Sequence, residues 1–109
     1  MSLSVKVTDA VVGRPGTGLA VAFYRENGQE GRELARSVTD DHGIARCQPD
    51  LVGRGVYRIV VEVNGYFAGL GMQSFYPRVD LTFRVAEETG DCLVSFVISP
   101  YSCTAYRER

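Results

Sequence analysis

Leu3, Val5 and Val7 alternate with Ser4, Lys6 and Thr8 at the start of the chain. In an extended backbone the three apolar side chains then share one face and the three polar ones the other. The same period-2 pattern returns in Leu19-Ala20-Val21-Ala22-Phe23-Tyr24, in the β-branched run 56–63, in the clean alternation 79–85, and in a closing stretch from Ile98 to Arg109. Turn residues separate these runs at 13–18, 26–29, 40–43, 52–55 and 88–91, where Gly, Asn, Asp and Pro gather. Strands and turns repeating about every 8–12 residues predict a β-sandwich or barrel. One segment, Gly65-Tyr66-Phe67-Ala68-Gly69-Leu70, predicts a short helix that Gly71 ends.

The run 92–98 departs from half-burial. Cys92, Val94, Phe96 and Ile98 fall on one face, yet Leu93 and Val97 occupy the other. A strand apolar on both faces is buried on both. In a two-layer sandwich only another chain or a ligand can cover the outer face, so this strand predicts a subunit interface.

Composition narrows the functions. A chain of 109 residues predicts a single domain, 1–109. With 12 basic and 13 acidic side chains it lacks the electrostatic footprint of a nucleic-acid partner. No apolar run reaches about 18 residues and the first residues lack a basic, then apolar, leader, which predicts no membrane span, no secretion signal and a cytoplasmic protein. Cys47, Cys92 and Cys103 match no metal or redox spacing, so neither a metal nor a cofactor is expected, and the thiols are expected to be reduced. The single histidine, His42, excludes a His–His catalytic pair within one subunit and sits in a turn that wants polar residues anyway. Cys92 and Cys103 are expected to behave as small hydrophobes. The glycine-rich 13–18 precedes a strand rather than a helix, which argues against a phosphate loop.

Several motifs resemble one family across almost the whole chain. Val5-Lys6-Val7-Thr8-Asp9-Ala10-Val11-Val12-Gly13-Arg14-Pro15 and Ser99-Pro100-Tyr101-Ser102-Cys103-Thr104-Ala105-Tyr106 are similar to the first and last strands of the transthyretin/5-hydroxyisourate hydrolase family. Thr39-Asp40-Asp41-His42-Gly43, Gly55-Val56-Tyr57-Arg58, Gly65-Tyr66-Phe67 and Phe75-Tyr76-Pro77 resemble its internal motifs, and the Ser-Pro-Tyr corner is the most specific. The resemblance implies an all-β, two-sheet transthyretin-like sandwich with one short helix, two four-stranded sheets, edge-paired dimers and a homotetramer with a central channel.

The resemblance also implies site positions, and this chain departs from them. Where the hydrolases carry a first-strand histidine stands Lys6. Their arginine falls on Ile44, their second histidine on Leu93, and their Tyr-Arg-Gly-Ser tail on Tyr106-Arg107-Glu108-Arg109. Neither Leu93 nor Ile44 can move a proton or clamp an anion, so 5-hydroxyisourate hydrolysis by the usual groups is not expected. The hormone carriers share the lysine, but have glutamate at the Ile44 position and small hydroxyl residues at the Tyr106 position. The candidate catalytic set is therefore Lys6 as anion anchor or amine nucleophile, Arg46 as a displaced clamp on the face of Ile44, and Tyr106 as a phenol donor. Thr8, Ser95, Val97, Thr104 and Arg107 are the candidate ligand-binding residues, although Arg107 alternates away from Tyr106 unless the tail turns. Three functions stay open: an enzyme with a replaced catalytic set acting on another small cyclic metabolite, a non-catalytic small-molecule carrier, and a 5-hydroxyisourate hydrolase with a displaced site.

Overall fold

The computed structural model describes residues 2–28, 30–48, 53–86 and 90–108. Gln29, Val52, Glu88 and Thr89 of the expected turns, and the terminal Arg109, lie outside the described residues. Nine strands and one helix follow one another as β1 (Ser2–Asp9), β2 (Arg14–Pro15), β3 (Ala20–Asn27), β4 (Glu30–Val38), β5 (Ile44–Arg46), β6 (Gly55–Val61), α1 (Val63–Gly69), β7 (Val79–Val85), β8 (Asp91–Ser99) and β9 (Ser102–Glu108) among the described residues. They form the expected all-β sandwich. One sheet runs β4-β3-β6-β7 and the other β2-β1-β8-β9, with β5 also on β1.

The second sheet thus has five strands rather than four. The free edge of β1 is paired in sections: β5 takes Ser4 to Lys6, and β2 takes Thr8 and Asp9. Between them Val7 N donates to Gly43 O at 2.8 Å, and below them Cys47 N donates to Leu3 O at 2.9 Å. Short segments thereby satisfy a long edge that would otherwise invite another strand.

The inner faces supply the core. Leu3, Val5 and Val7 of β1 and Cys92, Val94, Phe96 and Ile98 of β8 pack with Val21, Phe23, Tyr57, Ile59 and Val61 of the opposite sheet. Burial of apolar surface at roughly 25 cal/mol per Å² makes this alternation the main determinant of which face turns inward. The fully buried Tyr57 keeps its hydroxyl satisfied by donating to Gly53 O at 2.9 Å and accepting from Arg25 Nη1 at 3.2 Å.

Two boundaries and one unexpected strand differ from expectation. The helix starts at Val63, two residues before the glycine, because Val63 and Phe67 lie one turn apart and are its buried anchors. Gly71, at φ +75°, stands just past its end as expected. The closing alternation is two strands: β8 ends at Ser99, Pro100 and Tyr101 turn the chain, and β9 begins at Ser102. Finally, β4 has little apolar alternation to announce it, since a bulge opposite Phe23 and Tyr24 shifts its register at Leu34.

Candidate functional site

Lys6, Ser95 and Tyr106 face outward from the second sheet in one row. Parallel pairing sets Lys6 opposite Ser95, antiparallel pairing sets Ser95 opposite Tyr106, and Ile44 closes the row on the other side of Lys6. Residues paired across strands share a face, so these four side chains are neighbours. The adjacent row is Arg46, Ser4, Leu93 and Glu108, and the row beyond Lys6 holds Thr8, Val97 and Thr104. Seven of the eight residues expected at a site therefore lie on one face.

Arg107 is the exception. Strand β9 continues straight through it to Glu108, so Arg107 pairs with Val94 and points to the opposite face, where it lines a cleft of about 250 Å³ with Phe83 and Arg84. The tail makes no turn, and the alternation of a strand separates Arg107 from Tyr106.

Lys6 is half-buried and Arg46 is exposed, and the side chain of neither has an ion-pair or hydrogen-bond partner among the described residues. The anionic group nearest in register is already engaged: Ser95 Oγ donates to Glu108 Oε1 at 2.5 Å. Ser95 is only 3% exposed and Glu108 is half-buried. Beside them a cleft of about 430 Å³ is lined by Ser2, Ser4, Ile44, Arg46, Leu93 and Glu108, among others. Tyr106, 48% exposed, borders the row at the edge strand. A cationic pair, a carboxylate held by a hydroxyl, and a phenol thus surround a partly apolar surface.

Glu108 is the residue that sequence reasoning missed. Its signal was present, because Thr104, Tyr106 and Glu108 alternate onto one face of β9. The remaining chemistry-bearing residues stand apart. His42 is exposed in its turn, where its backbone N–H donates to Asp40 Oδ1 at 2.9 Å and that of Ile44 donates to the same oxygen at 3.0 Å. Those amides, Ile44 first, hold the Asp40 carboxyl below its ordinary range. Burial pushes the Cys103 thiol up, away from thiolate reactivity. Among the described residues no group of three or more His, Cys, Asp or Glu is placed to hold a metal, and no helix is long and apolar enough to cross a membrane.

A model of the HIUase/Transthyretin family matches residues 3–108. The chain belongs to that family. Among curated family members, the 5-hydroxyisourate hydrolase of Pseudomonas aeruginosa is 35% identical over 114 aligned residues, which cover 96% of this chain and 89% of that protein. Among solved structures, Klebsiella pneumoniae 5-hydroxyisourate hydrolase superposes with a TM-score of 0.87 at 26% identity, covering 100% of both chains. Transthyretin from Sparus aurata superposes with a TM-score of 0.86 at 25% identity, covering 97% of this chain and 95% of that one. The HIUase/Transthyretin fold is therefore common to proteins of different function, and the outer-face residues must carry the functional argument.

Proposed function

We propose that this family member is an enzyme acting on a small, cyclic, anionic metabolite, by hydrolysis, cyclisation or isomerisation of its ring, with hydrolysis the leading case. The site is the outer face of the β5-β1-β8-β9 sheet, enclosed when that face meets its copy in a homotetramer in the cytoplasm. The observation that carries this reading is the presence of two cations, Lys6 and Arg46, whose side chains make no ion pair or hydrogen bond among the described residues, on the same face as the Ser95–Glu108 pair, although Arg46 lies within electrostatic reach of Asp40. A purely structural arrangement would neutralise half-buried Lys6 with Glu108, whereas the carboxylate is tethered to Ser95 and the ammonium stays available to a ligand. The apolar groups on the same face, Ile44, Leu93 and Val97, suit the faces of a flat ring. Exposed Val11, Val12, Phe75 and Tyr101 gather where β1 and β8 end and supply apolar surface for assembly.

A second reading, hydrolysis of 5-hydroxyisourate itself, is favoured by the names of relatives such as the Pseudomonas aeruginosa protein. The two are separated by one experiment. The protein is incubated with freshly generated 5-hydroxyisourate, and separately with carboxylate-bearing cyclic amides such as dihydroorotate and hydantoin-5-acetate, followed by ultraviolet absorbance and proton NMR. We expect turnover of a cyclic amide carboxylate while 5-hydroxyisourate decays at its spontaneous rate. Acceleration of 5-hydroxyisourate decay to about 1–10³ per second would establish the second reading. Saturable binding without turnover of any compound would make the protein a carrier instead.

A further inference from the structure

We infer that Glu108 is the proton-transferring catalytic residue of this site, with Ser95 as its positioning residue, and that the substrate class is a cyclic amide carrying a separate anionic group. This rests on the hydrolytic case of the function proposed above and assigns the part that Lys6, Arg46 and Tyr106 leave vacant, a base placed to accept a proton from water.

The geometry singles out Glu108 among the carboxylates. Its backbone lies in the row of Leu93, but its Oε1 accepts from Ser95 Oγ, so the carboxylate leans one row inward, into the row of Lys6 and Tyr106. Asp91 also lines the cleft, but it is exposed, pairs with Ser2 at the far end of β1, and accepts from Ser2 Oγ at 2.5 Å. Ser95 is too buried to reach a substrate carbonyl itself, and its one hydroxyl proton is committed to Glu108. It fixes one carboxylate oxygen, while Oε2 receives no hydrogen bond from a described residue and is the oxygen left for water. A nucleophile's base held in one orientation by a buried donor is the arrangement that general-base catalysis requires.

The charges set the substrate. Arg46, at the opposite end of the Glu108 row, matches a carboxylate bidentately. Lys6, between the two, faces the ring carbonyl. Glu108 Oε2 then takes a proton from water as the water oxygen attacks the carbonyl carbon, forming the C–O bond and an oxyanion that the Lys6 ammonium stabilises. Collapse of that oxyanion restores the carbonyl and breaks the ring C–N bond. The departing nitrogen takes the proton back from Glu108, so the base is regenerated and the ring opens to an acid and an N–H group.

The test uses the intact protein and whichever probe of the panel above the wild type hydrolyses. Glu108→Gln keeps shape and removes the base, and we expect kcat to fall by about 10²–10⁴-fold with KM little changed. Glu108→Ala should lose as much and regain turnover with added formate, which supplies a carboxylate to the emptied space; a merely structural glutamate would not be rescued. Ser95→Ala should lower kcat without raising KM, whereas Arg46→Ala should raise KM. Circular dichroism and sedimentation of each variant establish that fold and assembly persist. Wild-type turnover retained in Glu108→Gln, or a Glu108→Ala variant of intact fold that formate does not rescue, overturns the role of Glu108 while the proposed function stands. A wild type inactive on every probe overturns both.

Discussion

Tyr66 and Asp9 are joined by a 2.7 Å hydrogen bond that ties helix α1 to the end of β1. Asp9 is fully buried and its second oxygen accepts from Val11 N at 2.8 Å, so each carboxylate oxygen has a donor. Removing the phenol would leave a buried carboxylate oxygen without its donor. Tyr66→Phe should therefore destabilise the fold by about 1.5–3 kcal/mol in urea unfolding. A variant as stable as wild type would show that water replaces the phenol.

The same contact predicts an alkaline limb. Burial first, and the neighbouring Asp9 second, push the Tyr66 phenol up from 10.0 to about 12. The neutral phenol is favoured in the folded state, so its contribution is complete below pH 10 and is lost as pH rises toward 12. Urea midpoints measured across this window should fall in wild type and fall less in Tyr66→Phe.

Gly43 holds the turn that delivers Ile44 and Arg46 to the site. Its φ is +78°, and a Cβ there would collide with the Val7 carbonyl oxygen. Backbone strain in the left-handed region adds to that collision, so Gly43→Ala should cost about 2–4 kcal/mol of stability. Thermal unfolding provides the measurement, and an unchanged midpoint would contradict this account of the β1 edge.

Lys6 is expected to bind rather than to fold. Lys6→Met preserves most of the stem's volume and removes the charge. Fold and assembly should survive, while affinity for a cyclic amide carboxylate weakens by about 1.5–3 kcal/mol by calorimetry. Lys6→Arg should retain part of the affinity if the ammonium is an electrostatic anchor. Complete loss in Lys6→Arg, together with borohydride trapping of a carbonyl ligand, would make Lys6 an imine-forming nucleophile instead.

Val97 tests the assembly. It is half-buried on the outer face, between Thr8 and Thr104. Val97→Glu would place an uncompensated carboxylate in the proposed interface and should prevent the proposed tetramer from forming. Sedimentation equilibrium reads the mass directly. A wild-type chain that is monomeric at micromolar concentration would remove the enclosed cavity from the proposal.

How much of the site was legible depended on what each residue needed to be seen. Lys6 and Thr8 share a face of β1, Ser95 and Val97 a face of β8, and Thr104 and Tyr106 a face of β9 because strand alternation is a local rule that applies without knowing the fold, whereas strand pairing joins the three faces into one. Arg46 follows from Ile44 by the same rule. Glu108 obeys it too, but a glutamate near a chain end looks like solvated surface until its carboxylate is found against buried Ser95. Strand β4 escaped because its partner strand, not its own pattern, creates it, and the helix boundary moved because Val63 is chosen by what it packs against.

The sequence by itself determined the alternating faces, the turns, the apolar character of both sides of β8 and the family motifs. All of these are encoded in residue order over a few positions. Tertiary structure alone decided that β1 pairs parallel with β8, that β5 and β2 divide the other edge of β1, and that Arg46 and Glu108 therefore share the row next to that of Lys6. Strand register is set by long-range burial and backbone pairing between segments some 90 residues apart, such as Ser2 and Asp91. No local pattern carries that information, so the meeting of the cations with the Ser95–Glu108 pair could be seen only once the sheet was assembled.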